Sequence, residues 1–247
     1  MSNTIIAGLA ALLGYLLGSI SFARVVTRIA APGTNIEDLR VEISGTDESI
    51  PVGIAGGNAA AMLLGPRWGL SVAVLDMLKV VLPMLAFKEL YPDENHLFIV
   101  ATMGLVGHNW PIYYRFRGGR GFAVIFGSFL VLDWAGTLLS LLLGLAFGML
   151  IVGSPMVAYI SWLWWLVAWL AWRGTPQELY FALAVNLIFL LAVIPEMRLM
   201  LKMRRAGIYQ AYIEGLYTSS PRWRGMKKMT ERLWLLRPFF DRRGPKS

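Results

Sequence analysis

The sequence contains no cysteine and only two histidines among its 247 residues. Without cysteine, neither a disulfide framework nor a thiolate metal site is possible. Two histidines are too few for a multi-histidine metal centre. The sequence also shows no serine-hydrolase elbow, P-loop or zinc-protease motif. We therefore expect neither a bound metal nor a cofactor.

Charged residues are also scarce, at 15% of the chain against 57% hydrophobic residues. This composition is too apolar for an ordinary soluble domain. The sequence predicts an all-α, polytopic membrane protein with about seven transmembrane helices. The apolar runs that support this count cover residues 5–23, 69–87, 97–114, 121–133, 136–152, 155–172 and 178–195, and we expect the last of them to end at Pro195-Glu196.

The few charges are unevenly placed. Residues 196–247 hold 13 Lys/Arg against four Asp/Glu, which favours contact of this segment with anionic lipid headgroups. No nucleic-acid motif accompanies it, so we expect no nucleic-acid partner. We predict a transmembrane domain over residues 1–200 and a basic cytoplasmic tail over 201–247.

The positive-inside rule predicts the orientation of the spans. An outside N-terminus places the loop of residues 115–120 and the tail inside, together with Arg24, Arg28, Arg40 and Arg67. The acids Glu89, Asp93 and Glu94 then lie outside, with the single charge of Arg173.

One polar stretch interrupts the apolar pattern completely, from Gly107 to Gly121. Its arginines alternate with glycines, so guanidinium groups stand beside backbone N–H groups that are free to turn toward an anion. A helix beginning near Gly121 would add its positive dipole end. The alternative is that these arginines only anchor the orientation of the neighbouring span.

Other candidates lie on either side of this stretch. Asp76 and Lys79 share one face of an apolar helix, either as a self-neutralising ion pair or as part of a site. Asn58 follows several glycines and either caps a short helix or faces a substrate phosphate. A turn at 153–155 would bring Ser154 to the inner face.

Three motifs, in order, resemble a known family. They are Gly-Ser-Ile-Ser-Phe at 18–22, Leu-Asp-Met-Leu-Lys at 75–79, and Gly-His-x-x-Pro at 107–111 followed by Phe-Arg-Gly-Gly-Arg-Gly at 116–121. This pattern is similar to that of the bacterial acyl-phosphate-dependent glycerol-3-phosphate acyltransferases. Two lysines of the family's glycine loop are arginines here, the family's Gly-Ser-Gly-Asn loop is split by an insertion, and its C-terminal His/Asn pair has no counterpart near residues 195–201.

The resemblance implies transfer of a fatty acyl group from acyl phosphate to glycerol 3-phosphate, giving lysophosphatidic acid for phospholipid synthesis. It implies a multi-pass enzyme of the inner (plasma) membrane whose active site faces the cytoplasm. We assign catalytic roles to His108, Ser44 and Lys79. Substrate binding is assigned to Arg40, Gly45, Gly56, Gly57, Asn58, Asp76, Arg115, Arg117, Gly118, Gly119, Arg120, Gly121 and Ser154.

Two other functions stay open at this point. The chain could be a non-catalytic relative that binds anionic lipid or regulates a partner, using the same arginines and the basic tail. Transfer to a different polyol phosphate is the third alternative. The missing C-terminal His/Asn pair favours these alternatives, whereas the retained glycine–arginine loop opposes them.

Overall fold

Each of the seven apolar runs contains a helix in the computed structural model, which describes residues 2–43, 45 and 49–235. The helices, in chain order, are α1 Asn3–Gly18, α2 Phe22–Ala30, α3 Gly57–Leu64, α4 Pro66–Leu90, α5 His96–Asn109, α6 Phe122–Leu132, α7 Trp134–Ala146, α8 Pro155–Ile160, α9 Trp162–Arg173, α10 Pro176–Arg205, α11 Tyr209–Ser219 and α12 Pro221–Leu233. A π-helical turn, Phe147–Val152, extends α7. The predicted helical membrane fold is confirmed.

Five segments of the described chain are long and apolar enough to cross a membrane. They are Asn3–Ala30, Pro66–Leu90, Trp134–Val152, Pro155–Arg173 and Pro176–Arg205. The helices α5 and α6 have 14 and 11 residues, fewer than the ~20 that a perpendicular span needs. The predicted count of seven spans is therefore not confirmed.

Within the run 97–114, α5 stops at Asn109 before Pro111, and Ile112–Tyr114 form a single 3₁₀ turn. One predicted boundary is wrong. The last run does not end at Pro195-Glu196, since α10 continues to Arg205 with Pro195 in its interior. A proline removes only one donor from a helix of 30 residues, so the remaining hydrogen bonds carry it onward.

The polar segment before α3 contains a small antiparallel hairpin that the sequence did not suggest. Its strands are β1 Arg40–Glu42 and β2 Ser49–Pro51, and Val41 pairs with Ile50. The backbone of Glu42 lies directly against Gly215 of α11, where a Cβ would have no room. The hairpin is thus packed on the C-terminal helices.

The small residues of α1 permit the close helix approach that their spacing predicts. A Cβ on Gly14 would lie 3.0 Å from the Cα of Val100, and one on Gly18 would lie 2.8 Å from the Cα of Gly104. The backbones of α1 and α5 are therefore in contact, which fixes the end of α5 against the end of α1.

Contacts between loops define two ends of the bundle. At one end Asn3 donates to Glu94, and Trp169 donates to Asp133. The opposite end, which we call the basic end, is formed by Arg24, residues 112–121 and the helices α11 and α12. The charged groups predicted to lie on the inner side of the membrane and those predicted to lie on the outer side are therefore at opposite ends of the bundle.

Candidate active site

A buried polar network lies at the basic end, between α1, α4 and α5. Lys79 Nζ lies 2.8 Å from Asp76 Oδ1, 3.0 Å from His108 Nδ1 and 2.6 Å from the carbonyl oxygen of Ile20. The Lys79 and Asp76 side chains are only 3% and 4% exposed. Asp76 and Lys79 do form the predicted ion pair, but His108 joins it, so the pair is not merely neutralising itself.

The break between α1 and α2 supplies one of these partners. Helix α1 ends at Gly18 and α2 begins at Phe22, so the carbonyl of Ile20 lies between two helices. A carbonyl outside a helix needs another donor when it is buried. Lys79 provides that donor, and the helix break thereby holds the ammonium group in place.

The three partners of Lys79 determine how His108 is protonated. An ammonium group has three N–H donors and no acceptor, and Lys79 Nζ is within hydrogen-bond distance of two oxygen acceptors and of His108 Nδ1. His108 Nδ1 must then accept a hydrogen bond from Lys79. The neutral imidazole consequently carries its proton on Nε2, which is a donor.

The two central glycines of the arginine loop lie directly on His108. The amide of Gly119 donates to the His108 carbonyl at 3.0 Å, and a Cβ on Gly119 would lie 3.0 Å from His108 Cδ2 and Cε1 and closer still to Nε2. A Cβ on Gly118 would lie 2.6 Å from Pro111 Cδ. Only glycine fits at both positions, and the sequence-predicted association of His108 with this loop is observed.

The loop ends at the N-terminus of α6, as the sequence predicted. Gly121 adopts a left-handed conformation with φ +74° and is the residue before the helix. Beside it lies Asn109, which is 1% exposed and whose Oδ1 and Nδ2 have no hydrogen-bond partner among the described residues. A buried amide without partners costs about 1–3 kcal/mol, so this position favours a bound polar group.

Arg120 is held between the loop and α10. Its guanidinium makes a two-point ion pair with Glu196, in which Nε lies 2.9 Å from Oε2, and it also donates to the Gly119 carbonyl at 2.9 Å. Tyr212 of α11 lies nearby, and burial, followed by the Glu196 charge, raises the pKa of its hydroxyl. The hydroxyl therefore stays neutral beside this ion pair.

The first part of the loop, with Arg115 and Arg117, borders an open cleft. The cleft has a volume of about 230 Å³ and is lined by Glu37, Tyr113, Tyr114, Arg115 and Arg117. Arg24 closes one side, since it pairs with Glu37 at 2.8 Å and donates to the carbonyl oxygen of Arg117.

The backbone of this loop is unusual. Arg115 and Phe116 have φ values of 52° and 60°, a left-handed conformation that costs non-glycine residues energy. The Phe116 amide donates to the Pro111 carbonyl at 3.0 Å, which holds the turn. The left-handed conformation of these two residues reverses the direction of the chain, so that Gly118 and Gly119 contact His108.

Several other predicted site residues make local contacts of their own or have no contact near their Cβ position. Arg40 binds Ser49 within the hairpin, at 2.8 Å from its hydroxyl, and Gly45 has φ +82° with open space around it. Ser154 caps α8 by accepting from the Val157 amide at 3.4 Å. Ser44 lies outside the described residues.

Gly56 and Gly57 lie at the start of α3 and support the helix. Gly56 is the residue before the helix, and Gly57 packs against the carbonyl oxygen of Gly69 in α4. The interpretation of Asn58 as a cap is wrong, because α3 begins at Gly57 and the Asn58 amide is turned toward Ser220.

Sequence reasoning missed four groups at this end: Arg24, Asn109, Glu196 and the Ile20 carbonyl. The signal for Asn109 was its position between the motif residues His108 and Pro111. Glu196 stands where the family's His/Asn pair is missing, but no local pattern indicates that it meets Arg120 across 76 residues.

Comparisons with known proteins agree with the geometry. A family model described as glycerol-3-phosphate acyltransferase matches residues 8–210. A glycerol-3-phosphate acyltransferase of Enterobacter sp. (strain 638) is 36% identical over 162 residues, which cover 62% of this chain and 72% of that relative. Another, of Cronobacter sakazakii, is 36% identical over 163 residues, with the same coverage.

Solved structures show the same fold. The crystal structure of PlsY (YgiH), an integral membrane glycerol 3-phosphate acyltransferase in its glycerol 3-phosphate form, superposes with a TM-score of 0.64 at 23% identity. The match covers 80% of this chain and 93% of that chain. The lysophosphatidic acid form of the same protein gives a TM-score of 0.63.

Proposed function

Because the chain belongs to the glycerol-3-phosphate acyltransferase family, we propose that the basic end of its bundle transfers a fatty acyl group from acyl phosphate to the 1-hydroxyl of glycerol 3-phosphate. The observation that carries this proposal is the packing of Gly119 on His108, whose other ring nitrogen is fixed by Lys79. The arrangement directs a buried N–H donor toward a loop of backbone amides and arginines.

The reaction needs no covalent enzyme intermediate. The glycerol hydroxyl oxygen attacks the carbonyl carbon, a new C–O ester bond forms, and the C–O bond to phosphate breaks. The phosphate leaves with the bonding electrons and takes up the hydroxyl proton. Acyl phosphate is already activated, so positioning and charge stabilisation supply the catalysis.

His108 acts in this scheme as a hydrogen-bond donor rather than a general base. Its Nδ1 accepts from Lys79, so Nε2–H is available to the phosphate or to the developing oxyanion. Asp76 and Lys79 are positioning residues, because they hold the imidazole in this tautomer.

Phosphate groups are held by the loop arginines and the N-terminus of α6. We assign Arg120, the amides of Gly118 to Gly121 and the Asn109 amide to one phosphate, and Arg117 with Arg115 in the open cleft to the other. Arg120 makes an ion pair with Glu196. An incoming phosphate exchanges with that carboxylate.

We place the basic end in the cytoplasm of a cell with this protein in its inner membrane. The distribution of Arg24, the loop arginines and the tail supports this orientation. Both substrates are then reached from the side where phosphorylated metabolites are available, and the acyl chain lies along the lipid-facing helices.

The experiment is an assay of the purified protein with acyl phosphate and glycerol 3-phosphate, following phosphate release. We expect Arg120→Ala to lower kcat/KM by about 100-fold, the order found when one charge-stabilising donor is removed. Arg173→Ala, at the opposite end, is the matched control and should retain wild-type turnover.

The outcomes separate the enzyme from its alternatives. Equal effects of the two arginine variants would remove Arg120 from the site. If the wild-type protein releases no phosphate but binds anionic vesicles in an Arg117-dependent way, the chain is a lipid-binding relative and not an enzyme. Turnover with another polyol phosphate in place of glycerol 3-phosphate would change the acceptor only.

A further inference from the structure

The C-terminal helices lie largely outside the family's shared region. The family match ends at residue 210, the second residue of the short helix α11, so α12 lies entirely beyond it. Both helices are nevertheless packed against the basic end. Their contacts reach α3, which carries Asn58, and the start of α6, which the proposed site uses.

The first contact is a buried hydrogen bond to α3. Ser220, at the start of α12, has no exposed surface, and its hydroxyl donates to Asn58 Oδ1 at 2.7 Å. The same hydroxyl oxygen accepts from the Trp223 amide at 3.3 Å. Ser220 thus joins the first turn of α12 to Asn58, a residue that we assigned to substrate binding on the family resemblance.

This hydrogen bond decides how the Asn58 amide is oriented. With Oδ1 turned to Ser220, the one partner of the NH₂ group among the described residues is the Met62 sulfur, 3.5 Å away. Sulfur is a weak acceptor, so the amide N–H groups stay available for a substrate oxygen. Loss of the Ser220 hydroxyl would leave the amide free to turn over.

The second contact reaches the start of α6. Arg222 donates to the Tyr159 hydroxyl at 2.9 Å and lies 4.4 Å from the centre of its ring. Trp223 packs on the edge of Tyr159, and Tyr159 stacks on Phe122 with 4.0 Å between ring centres. Phe122 is the first residue of α6, directly after Gly121.

The end of α12 is tied to the bundle as well. The Leu235 amide donates to the Leu150 carbonyl at 3.0 Å, and Trp234 Nε1 donates to the Ile151 carbonyl at 3.2 Å. Gly153 has φ +69°, and a Cβ there would overlap the Trp234 ring. Both ends of α12 are therefore anchored on the membrane domain.

We infer that α12 is part of the active-site framework, in which Ser220 positions Asn58 for glycerol 3-phosphate and Arg222 with Trp223 supports the start of α6 through Tyr159. Ser220 is a positioning residue, since it acts through Asn58. The inference rests on the proposed function for the identity of the substrate. It gives the segment beyond the family's region a role other than membrane attachment.

The test is a double-mutant cycle in the acyltransferase assay with Ser220→Ala, Asn58→Ala and the combination. We expect Ser220→Ala to raise the KM for glycerol 3-phosphate about tenfold, with kcat changed less than twofold. Asn58→Ala should do the same, and the double variant should be no worse than either single variant. Ser220→Thr keeps the hydroxyl and should restore the wild-type KM.

Lys228→Ala is the matched control, because Lys228 lies on the exposed face of the same helix. If Ser220 only caps α12, the effects of Ser220→Ala and Asn58→Ala will be additive in the double variant. In that case Ser220→Ala will lower kcat or thermal stability and leave the KM for glycerol 3-phosphate unchanged. A wild-type KM in Ser220→Ala overturns the inference while the proposed function stands. A wild-type protein without acyltransferase activity would overturn both the inference and the proposed function.

Discussion

Gly119→Ala is the substitution for which the structure gives the sharpest expectation. The new Cβ would lie 3.0 Å from two ring carbons of His108 and closer still to Nε2. The imidazole has no room to retreat, because it is 9% exposed and its Nδ1 is bound to Lys79 at 3.0 Å. The loop must therefore move away from the ring.

The cost follows from this overlap. Overpacking by one methyl group in a filled interior costs about 1–3 kcal/mol, and a displacement of about 1 Å in a catalytic geometry lowers the rate about 100-fold. We expect kcat/KM to fall about 100-fold, which corresponds to about 2.7 kcal/mol of lost transition-state stabilisation. Phosphate release from acyl phosphate measures it directly.

Gly8→Ala is the control, since a Cβ at Gly8 would have no atom of the described residues within 4 Å. A second variant tests the cause: in Gly119→Ala combined with His108→Ala, the ring is gone and the added methyl should cost nothing beyond the loss of His108. Wild-type turnover in Gly119→Ala would refute the contact between this loop and the imidazole.

Two further predictions concern charge and orientation. Glu196→Gln removes the carboxylate that competes with phosphate for Arg120. Inhibition of turnover by inorganic phosphate should therefore become several-fold stronger. Unchanged or weaker inhibition would show that Glu196 only orients the arginine. The chain has no native cysteine, so Asp93→Cys should react with an impermeant thiol reagent added to intact cells, whereas Lys228→Cys should not, and the reverse pattern would invert the proposed topology.

The sequence was sufficient to predict a helical membrane protein, because the apolar composition and the apolar runs indicate that class, but it did not give the number of spans. The sequence also predicted that His108 lies near the glycine loop, since Gly118 follows His108 by only ten positions and Pro111 lies between them. Pro111 and Gly121 marked the ends of the neighbouring helices for local reasons of backbone geometry. These are short-range signals.

Other contacts depend on tertiary packing that no local pattern encodes. The pairing of Arg120 with Glu196 requires α10 to continue past Pro195, where a proline ordinarily suggests an end. The turn of Asn58 toward Ser220 spans 162 residues. The single charges of Asp76 and Lys79 indicated a partner, but not that the third group would be a histidine from the next helix.

The spacing of Asp76 and Lys79 also bears on how the protein enters the bilayer. An isolated charge at the centre of an inserting helix raises the cost of insertion by about 2.5–3.5 kcal/mol. Here each charge has its counter-ion one turn away on the same helix, 2.8 Å distant in the final structure. Helix α4 therefore carries its own neutralising partner during synthesis, and its insertion does not have to wait for His108 or for any later span.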